Sequence, residues 1–507
     1  MNTHQQPNIL ELTIPAYHTL LHQGKTSCSE VVRIYLARIT QHDPTLKTLI
    51  TINPNALTTA IEKDTEIKHH LRNGLPLKRL HGVPIILKDN YTTSNLPTSA
   101  GTKALQSLHS KDSEVVTHLI KAGALILAKA NLHEFALHGT TTSSLGGQTL
   151  NPYDLSRTPG GSSGGTAAAL AANLGLVGCG TDTMNSLRSP ASACSIVGFR
   201  PSMGSVSCVG IVPVSETQDI AGPMGRTVGD VRILYEVMRG SSSGSMSTSS
   251  YSGSFCHEQQ RRASRIGFLK AYFELDDAIA CSEQVIAENS TVQRVVRDAL
   301  NTVQGESDII LVPVDSDPDW TLANLLANAD TQPFEFKDCL DSFLQSQHVS
   351  STPYLSLQAI MHSGEYDKEA VTEVFYAPLL DPAVYSRTSK EYRSRLDTIA
   401  ALKESVRRCF DKYELDVLVY PHQRQLVVNA GETRQPNRNG VLAAVTGNPA
   451  ICIPAGFSPA TASAPRGIPI GIELMGRHGN DDDLLNIAAQ LEQVLQARKA
   501  PLLNESR

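Results

Sequence analysis

The sequence has no excess of basic residues: 44 Lys and Arg stand against 50 Asp and Glu, a net charge of −6 over 507 residues. Without a broad cationic field for phosphate backbones, nucleic acid is excluded as the main partner. It also lacks any apolar run of the roughly 18 residues that would span a bilayer. The longest stretches, 167–172 and 309–314, are of core size. The opening MNTHQQPN has neither the basic nor the apolar region of a signal peptide. Nine cysteines, at 28, 179, 194, 208, 256, 281, 339, 409 and 452, are odd in number and form no CxxC pair. That scatter argues against a disulfide framework and against a zinc knuckle. These absences predict a soluble, cytoplasmic protein with reduced thiols and no integral membrane segment.

What is present is ordinary globular material, 41% hydrophobic and 19% charged, in a chain long enough for a large core. Length alone suggests several domains, although large α/β enzymes often exceed that prior as one continuous sheet. The first sixty residues read as helical, with Val31, Val32, Ile34, Tyr35 and Ile39 recurring at helical spacing. Around residue 80 the character changes. Gly82-Val83-Pro84-Ile85-Ile86-Leu87 is a short apolar run ending at Lys88, as a buried strand would. A helix over 115–122 and a strand over 124–128 follow. Later signals predict a helix at 291–303 and strands at 309–314, 416–420 and 451–454. Helices alternating with short apolar strands predict an α/β fold. Residues 240–256, nine of them serine, predict a mobile surface loop or linker. Residues 315–395 read as irregular, and there Trp320, Phe334, Phe336, Tyr354, Tyr366 and Tyr376 are candidates either for core packing or for a pocket wall.

The densest small-residue punctuation lies between 158 and 204. Thr158-Pro159-Gly160-Gly161-Ser162-Ser163-Gly164-Gly165-Thr166 leads into an alanine-rich helix. Taken alone, it is a glycine-rich turn with a hydroxyl capping the helix, or a site of special backbone geometry. A phosphate cradle fits poorly, because neither GxGxxG nor a closing Gly-Lys-Ser/Thr is present. Further on, Asp182 and Arg188 flank Thr183-Met184-Asn185-Ser186-Leu187. A structural ion pair is their simplest reading. Lys88 directly follows an apolar strand, where burial lowers an ammonium pKa, unless the side chain snorkels to solvent.

Together these segments resemble the amidase signature hydrolases. The resemblance is carried by Gly82 to Asn90, by Lys129-Ala130-Asn131-Leu132-His133-Glu134-Phe135, and by Ser156 to Gly165. It continues through Gly180-Thr181-Asp182, Ser186-Leu187-Arg188, Val197-Gly198-Phe199-Arg200-Pro201, Gly447-Asn448-Pro449-Ala450-Ile451, Pro454-Ala455-Gly456-Phe457 and Gly471-Ile472-Glu473-Leu474-Met475-Gly476-Arg477. It weakens only between about 240 and 400. The resemblance implies a mixed central sheet flanked by helices, with a variable helical region near the active-site mouth. It further implies one domain over 1–507: helices to 60, a signature core over 61–239, the serine-rich loop, a substrate-side region over 257–400, and the rest of the core from 401. For the site it implies Ser186 as nucleophile, Ser162 as a bridging serine on a cis peptide and Lys88 as base. The backbone amides of Thr183, Met184, Asn185 and Ser186 would form the oxyanion hole. Ser163, Asp182 and Arg188 would be supporting residues, and Glu134 a structural pairing or capping group.

One departure stands at the centre. Relatives usually place two glycines directly before the nucleophile, where this chain has Met184-Asn185. Asparagine tolerates left-handed backbone better than most residues, whereas methionine does not. Either Met184 reshapes the acyl pocket or the oxyanion hole is weakened. The stretch Gly204-Ser205-Val206-Ser207-Cys208 also lacks the arginine usual in the glutamine-handling amidotransferase relatives. The expected activity is hydrolysis of a small-molecule carboxamide, with no cofactor and no metal; the oligomeric state, including a homodimer, stays open. Acyl transfer or ester hydrolysis through the same acyl-enzyme is the close alternative, and an inactivated amidase-fold binding protein the distant one.

Overall fold

The computed structural model describes residues 8–240, 263–275, 282–306 and 308–503. Most of the predicted serine-rich loop, from 241 on, lies outside the described residues. Eleven strands form one mixed sheet. In spatial order they are Leu49–Ile52, Leu125–Ala130, Pro84–Lys88, Val177–Asp182, Ile220–Gly225, Val197–Arg200, Ala450–Phe457, Pro469–Gly476, Val417–Pro421, Ser264–Leu269 and Ile309–Val314. Strand Pro84–Lys88 is buried along its whole length, as its uninterrupted apolar run predicts. It runs parallel to both neighbours, with Ile85 opposite Val177 and Leu87 opposite Cys179. The carboxyl ends of these two strands therefore bring Lys88 beside Thr181 and Asp182. Side chains outside the carboxyl ends of parallel strands are where open α/β sheets build their sites.

Helix Gly164–Ala171 is buried throughout. Alanine and glycine let it lie directly against the sheet: a Cβ on Gly165 would stand 2.2 Å from the Asn131 carbonyl oxygen. Helices Val228–Met238, Glu283–Glu306 and Asp481–Leu495 each turn an apolar face inward. The main core joins these helices to the sheet through residues such as Ile85, Val177, Val231, Val296, Ile451 and Leu485.

The region from 315 to 395 is not irregular. It contains helices Leu322–Ala329, Gln332–Leu344, Leu357–Ser363 and Glu373–Leu380. Three of these are only seven or eight residues long, too short for a helical period to stand out in the sequence. Phe336 and Phe375 pack against Phe135 in a separate apolar cluster next to the signature segment. Trp320, Phe334 and Phe336 are buried, whereas Tyr354, Tyr366 and Tyr376 are half-buried. Among the described residues no helix is long and apolar enough to cross a membrane.

Candidate active site

Lys88 is fully buried and donates from Nζ to Ser162 Oγ at 2.7 Å and to Thr181 Oγ1 at 2.8 Å. Asn90 Nδ2 donates to the same threonine oxygen at 3.0 Å. No carboxylate contacts the ammonium among the described residues. Burial lowers its pKa to about 7, only partly opposed by the more distant charges of Asp182 and Asp219. A snorkelling lysine is thereby excluded.

The Gly161–Ser162 peptide bond is cis. The turn around it is held on both sides. The His133 amide donates to the Ser162 carbonyl at 3.1 Å, and Thr141 Oγ1 donates to the Gly160 carbonyl at 2.7 Å while accepting from the Gly164 amide at 3.1 Å. Gly160 takes φ +73, and a Cβ there would press within 3.0 Å of the Ser189 carbonyl oxygen. Ser163 occupies the N-cap position of helix Gly164–Ala171 but makes no side-chain cap. Its hydroxyl instead donates to the Thr181 carbonyl at 3.2 Å, and its amide donates to the Ser186 carbonyl at 3.2 Å. The glycine-rich segment is thus a turn that ties Ser162 to Lys88 and to the Ser186 loop, rather than a capping loop.

Residues 183–186 form that loop. Neither Met184 nor Asn185 has a positive φ, so the missing glycines are replaced in an ordinary backbone conformation. Among the described residues, none of the four amides from Thr183 to Ser186 donates to another protein group. The loop is braced from beneath. Asp182 accepts from the Leu187 amide at 3.0 Å, from Arg188 at 3.1 Å and from Arg200 at 3.0 Å. Arg188 also donates to the Met184 carbonyl at 2.7 Å, to the Gly440 carbonyl at 2.8 Å and to Glu473. All four charged groups are buried. Burial alone would raise the Asp182 carboxyl, yet the two guanidinium groups hold it well below the usual range. Thr183 Oγ1 donates to Asp219 at 2.6 Å. Gln218 reaches Met184 Sδ at 2.9 Å and accepts from the Thr331 amide at 2.8 Å. The 183–186 loop is thereby linked to the start of helix Gln332–Leu344.

The structure brings Lys88, Ser162, Ser163, Asp182, Thr183, Met184, Asn185, Ser186 and Arg188 into one place. Glu134 accepts from the Ser144 amide at 2.6 Å and from the Asp367 amide at 3.3 Å, so it joins two loops. Sequence reasoning gave no role to Thr181, Arg200 or Glu473. A charge or hydroxyl inside an otherwise apolar strand was the available signal for each. Among the described residues no three His, Cys, Asp or Glu side chains converge to hold a metal ion.

Comparison with known proteins identifies the family. A family model described as Amidase matches residues 30–485. A probable amidase of Arabidopsis thaliana is 30% identical over 516 residues, covering 97% of this chain and 92% of that protein. A glutamyl-tRNA(Gln) amidotransferase subunit from Halorhodospira halophila is 31% identical over 509 residues, covering 96% and 98%. Among solved structures, the native peptide amidase of Stenotrophomonas maltophilia superposes with a TM-score of 0.77 at 27% identity, covering 97% of this chain and 99% of that one.

Proposed function

The chain belongs to the amidase family, and from that membership and the geometry of the site we propose that it hydrolyses a carboxamide through an acyl-enzyme on Ser186. The observation that carries this reading is the buried Lys88 ammonium, 2.7 Å from Ser162 Oγ with a pKa of about 7. A serine hydroxyl needs a positioned proton acceptor to attack an amide. A lysine that is half neutral at physiological pH supplies one without a histidine.

In the first step Ser186 Oγ bonds to the amide carbon. Its proton passes to Ser162 Oγ as the Ser162 proton passes to Lys88 Nζ. The carbonyl oxygen becomes an oxyanion, facing the free amides of residues 183–186. Collapse breaks the C–N bond, and the leaving amine takes a proton from Ser162, which Lys88 replaces. Water then attacks the ester carbon, its proton passing through Ser162 to Lys88; the C–O bond to Ser186 breaks, Ser186 Oγ takes the proton back along the same route, and the acid leaves. Thr181 and Asn90 fix the direction of Lys88; Asp182, Arg188 and Arg200 fix the loop.

The four free amides and the ordinary φ of Met184 and Asn185 favour a working oxyanion hole over an inactivated binding protein. The relatives named as amidotransferases make transfer of the released ammonia or the acyl group the second reading. Release of amine or ammonia from a panel of aliphatic, aryl and peptide amides tests the proposal. Turnover that disappears in Ser186→Ala supports it, and turnover that survives in that variant overturns it.

A further inference from the structure

Asp182 and Glu473 serve Arg188, Arg200, Tyr420 and His422. A third guanidinium at the site, that of Arg438, makes no ion-pair contact and no hydrogen bond among the described residues and feels Asp182 only from a distance, although the side chain is half-buried. Guanidinium groups removed from water are normally paired.

Its position is set from both ends. A Cβ on Gly139 would lie 2.3 Å from Arg438 Nη1, and the Gly139 Cα lies 3.1 Å from where a Cβ of Gly161 would be. The guanidinium therefore packs behind the turn that carries Ser162. Two residues on, a Cβ on Gly440 would lie 2.4 Å from Asn185 Oδ1. The segment thus runs from the Ser162 turn to the nucleophile loop.

Arg438 is also held firmly. It lies opposite Gln423 in an antiparallel bridge, flanked by hydrogen bonds from the Arg424 amide to the Asn437 carbonyl and from the Asn439 amide to the His422 carbonyl, both 2.8 Å. That pattern makes Gln423 and Arg438 a close pair whose side chains share one face. Asn437 Nδ2 donates to Gln425 at 2.7 Å, and Asn439 Nδ2 donates to the Tyr272 carbonyl at 2.7 Å and the Pro421 carbonyl at 2.8 Å. Both neighbours of Arg438 are clamped, so its backbone is preorganised.

The second observation is Gln423 itself. It is 1% exposed, and neither its amide nitrogen nor its amide oxygen has a partner among the described residues. Asn185 Oδ1, beside Gly440, and His138 Nδ1, one residue before Gly139, are also unpartnered. Burial, followed by the positive charge of Arg438, pushes His138 down to about 2, so it stays neutral beside the guanidinium. A preorganised cation that no acid contacts, beside an unpaired buried carboxamide, matches an anionic group with free oxygen acceptors.

We propose that Arg438, with Gln423 beside it, anchors a carboxylate carried by the amide substrate away from the scissile bond, so that the enzyme selects anionic amides over neutral ones. This rests on the amidase reading above, and the experiment separates the two. The kcat/KM of the wild type is measured on glutaramate against pentanamide and on N-acetylglycine against N-ethylacetamide. In at least one pair the carboxylate should be preferred by about tenfold or more, the worth of a charge-assisted hydrogen bond. Arg438→Met should collapse that ratio, and Arg438→Lys should retain part of it. A purely structural role would lower both members of a pair together and leave the ratio in place. In parallel, calorimetry on Ser186→Ala with glutaramate and N-acetylglycine reads binding without turnover. Arg438-dependent binding with no turnover by the wild type would keep the anchor and overturn the amidase reading. Turnover of neutral amides with ratios near one, or ratios unmoved by Arg438→Met, would overturn the anchor and keep the amidase.

Discussion

Lys88 Nζ and Ser162 Oγ lie 2.7 Å apart inside the protein, and the lysine contacts two neutral hydroxyl oxygens rather than a carboxylate. That choice of partners decides its chemistry. A carboxylate would hold the ammonium charged at every physiological pH, whereas hydroxyls leave burial as the larger effect and bring the pKa to about 7.

The pH dependence follows. Lys88 is protonated and unable to accept a proton below its pKa, so kcat/KM should fall about tenfold per pH unit as pH drops below about 7 and level off above it. A pH profile on a neutral amide checks this. Lys88→Ala should lose roughly 10²–10⁴ in kcat, and Lys88→Arg should not restore it, because guanidinium stays protonated.

Thr181→Val removes the hydroxyl that accepts from both Lys88 and Asn90. With one acceptor fewer, the charged ammonium is less favoured. The acid limb of the profile should move to lower pH while kcat falls through loss of positioning. A fall in kcat with an unmoved limb would assign Thr181 to packing alone.

Asp182→Asn leaves two buried guanidinium groups without their shared carboxylate. Removing one partner of a buried ion pair costs about 3–5 kcal/mol, to be read as a lower denaturant midpoint. Ser163→Ala, which deletes the 3.2 Å hydrogen bond to the Thr181 carbonyl and the 3.4 Å one from the Thr181 amide, should cost about 1–2 kcal/mol.

Met184 is half-buried, packs on the apolar cluster that contains Leu269 and Leu325, and touches Gln218. Met184→Gly should shift preference toward bulkier acyl groups in a chain-length series. An unchanged series would show that Met184 does not face the acyl group.

Much of this site was legible in the sequence because its parts are local. Lys88 closes an uninterrupted apolar strand, Ser162 sits in a run of glycines, and Ser186 lies four residues after a strand-ending acid. The resemblance to the amidase signature hydrolases joined them. What stayed hidden depends on long separations or on competition between hydrogen bonds. Arg188 meets Glu473 across 285 positions, and no local pattern encodes that pairing. Ser163 has the residue type and position of a helix cap, yet its hydroxyl donates to the Thr181 carbonyl. The short helices Leu357–Ser363 and Glu373–Leu380 owe their stability to the cluster around Phe135, Phe336 and Phe375, and Leu322–Ala329 owes its stability to the cluster around Leu269 and Trp320, rather than to their own periodicity. Arg438 lies in a polar stretch whose charge balance is visible only once its neighbours are in place.

The proposed chemistry turns on Ser186 as an activated nucleophile served by Ser162 and Lys88. Intact-mass analysis after incubation with a fluorophosphonate, on the wild type and on Ser186→Ala, tests it most directly. A single adduct on the wild type and none on the variant is the expected result. An adduct of equal yield on Ser186→Ala would contradict it.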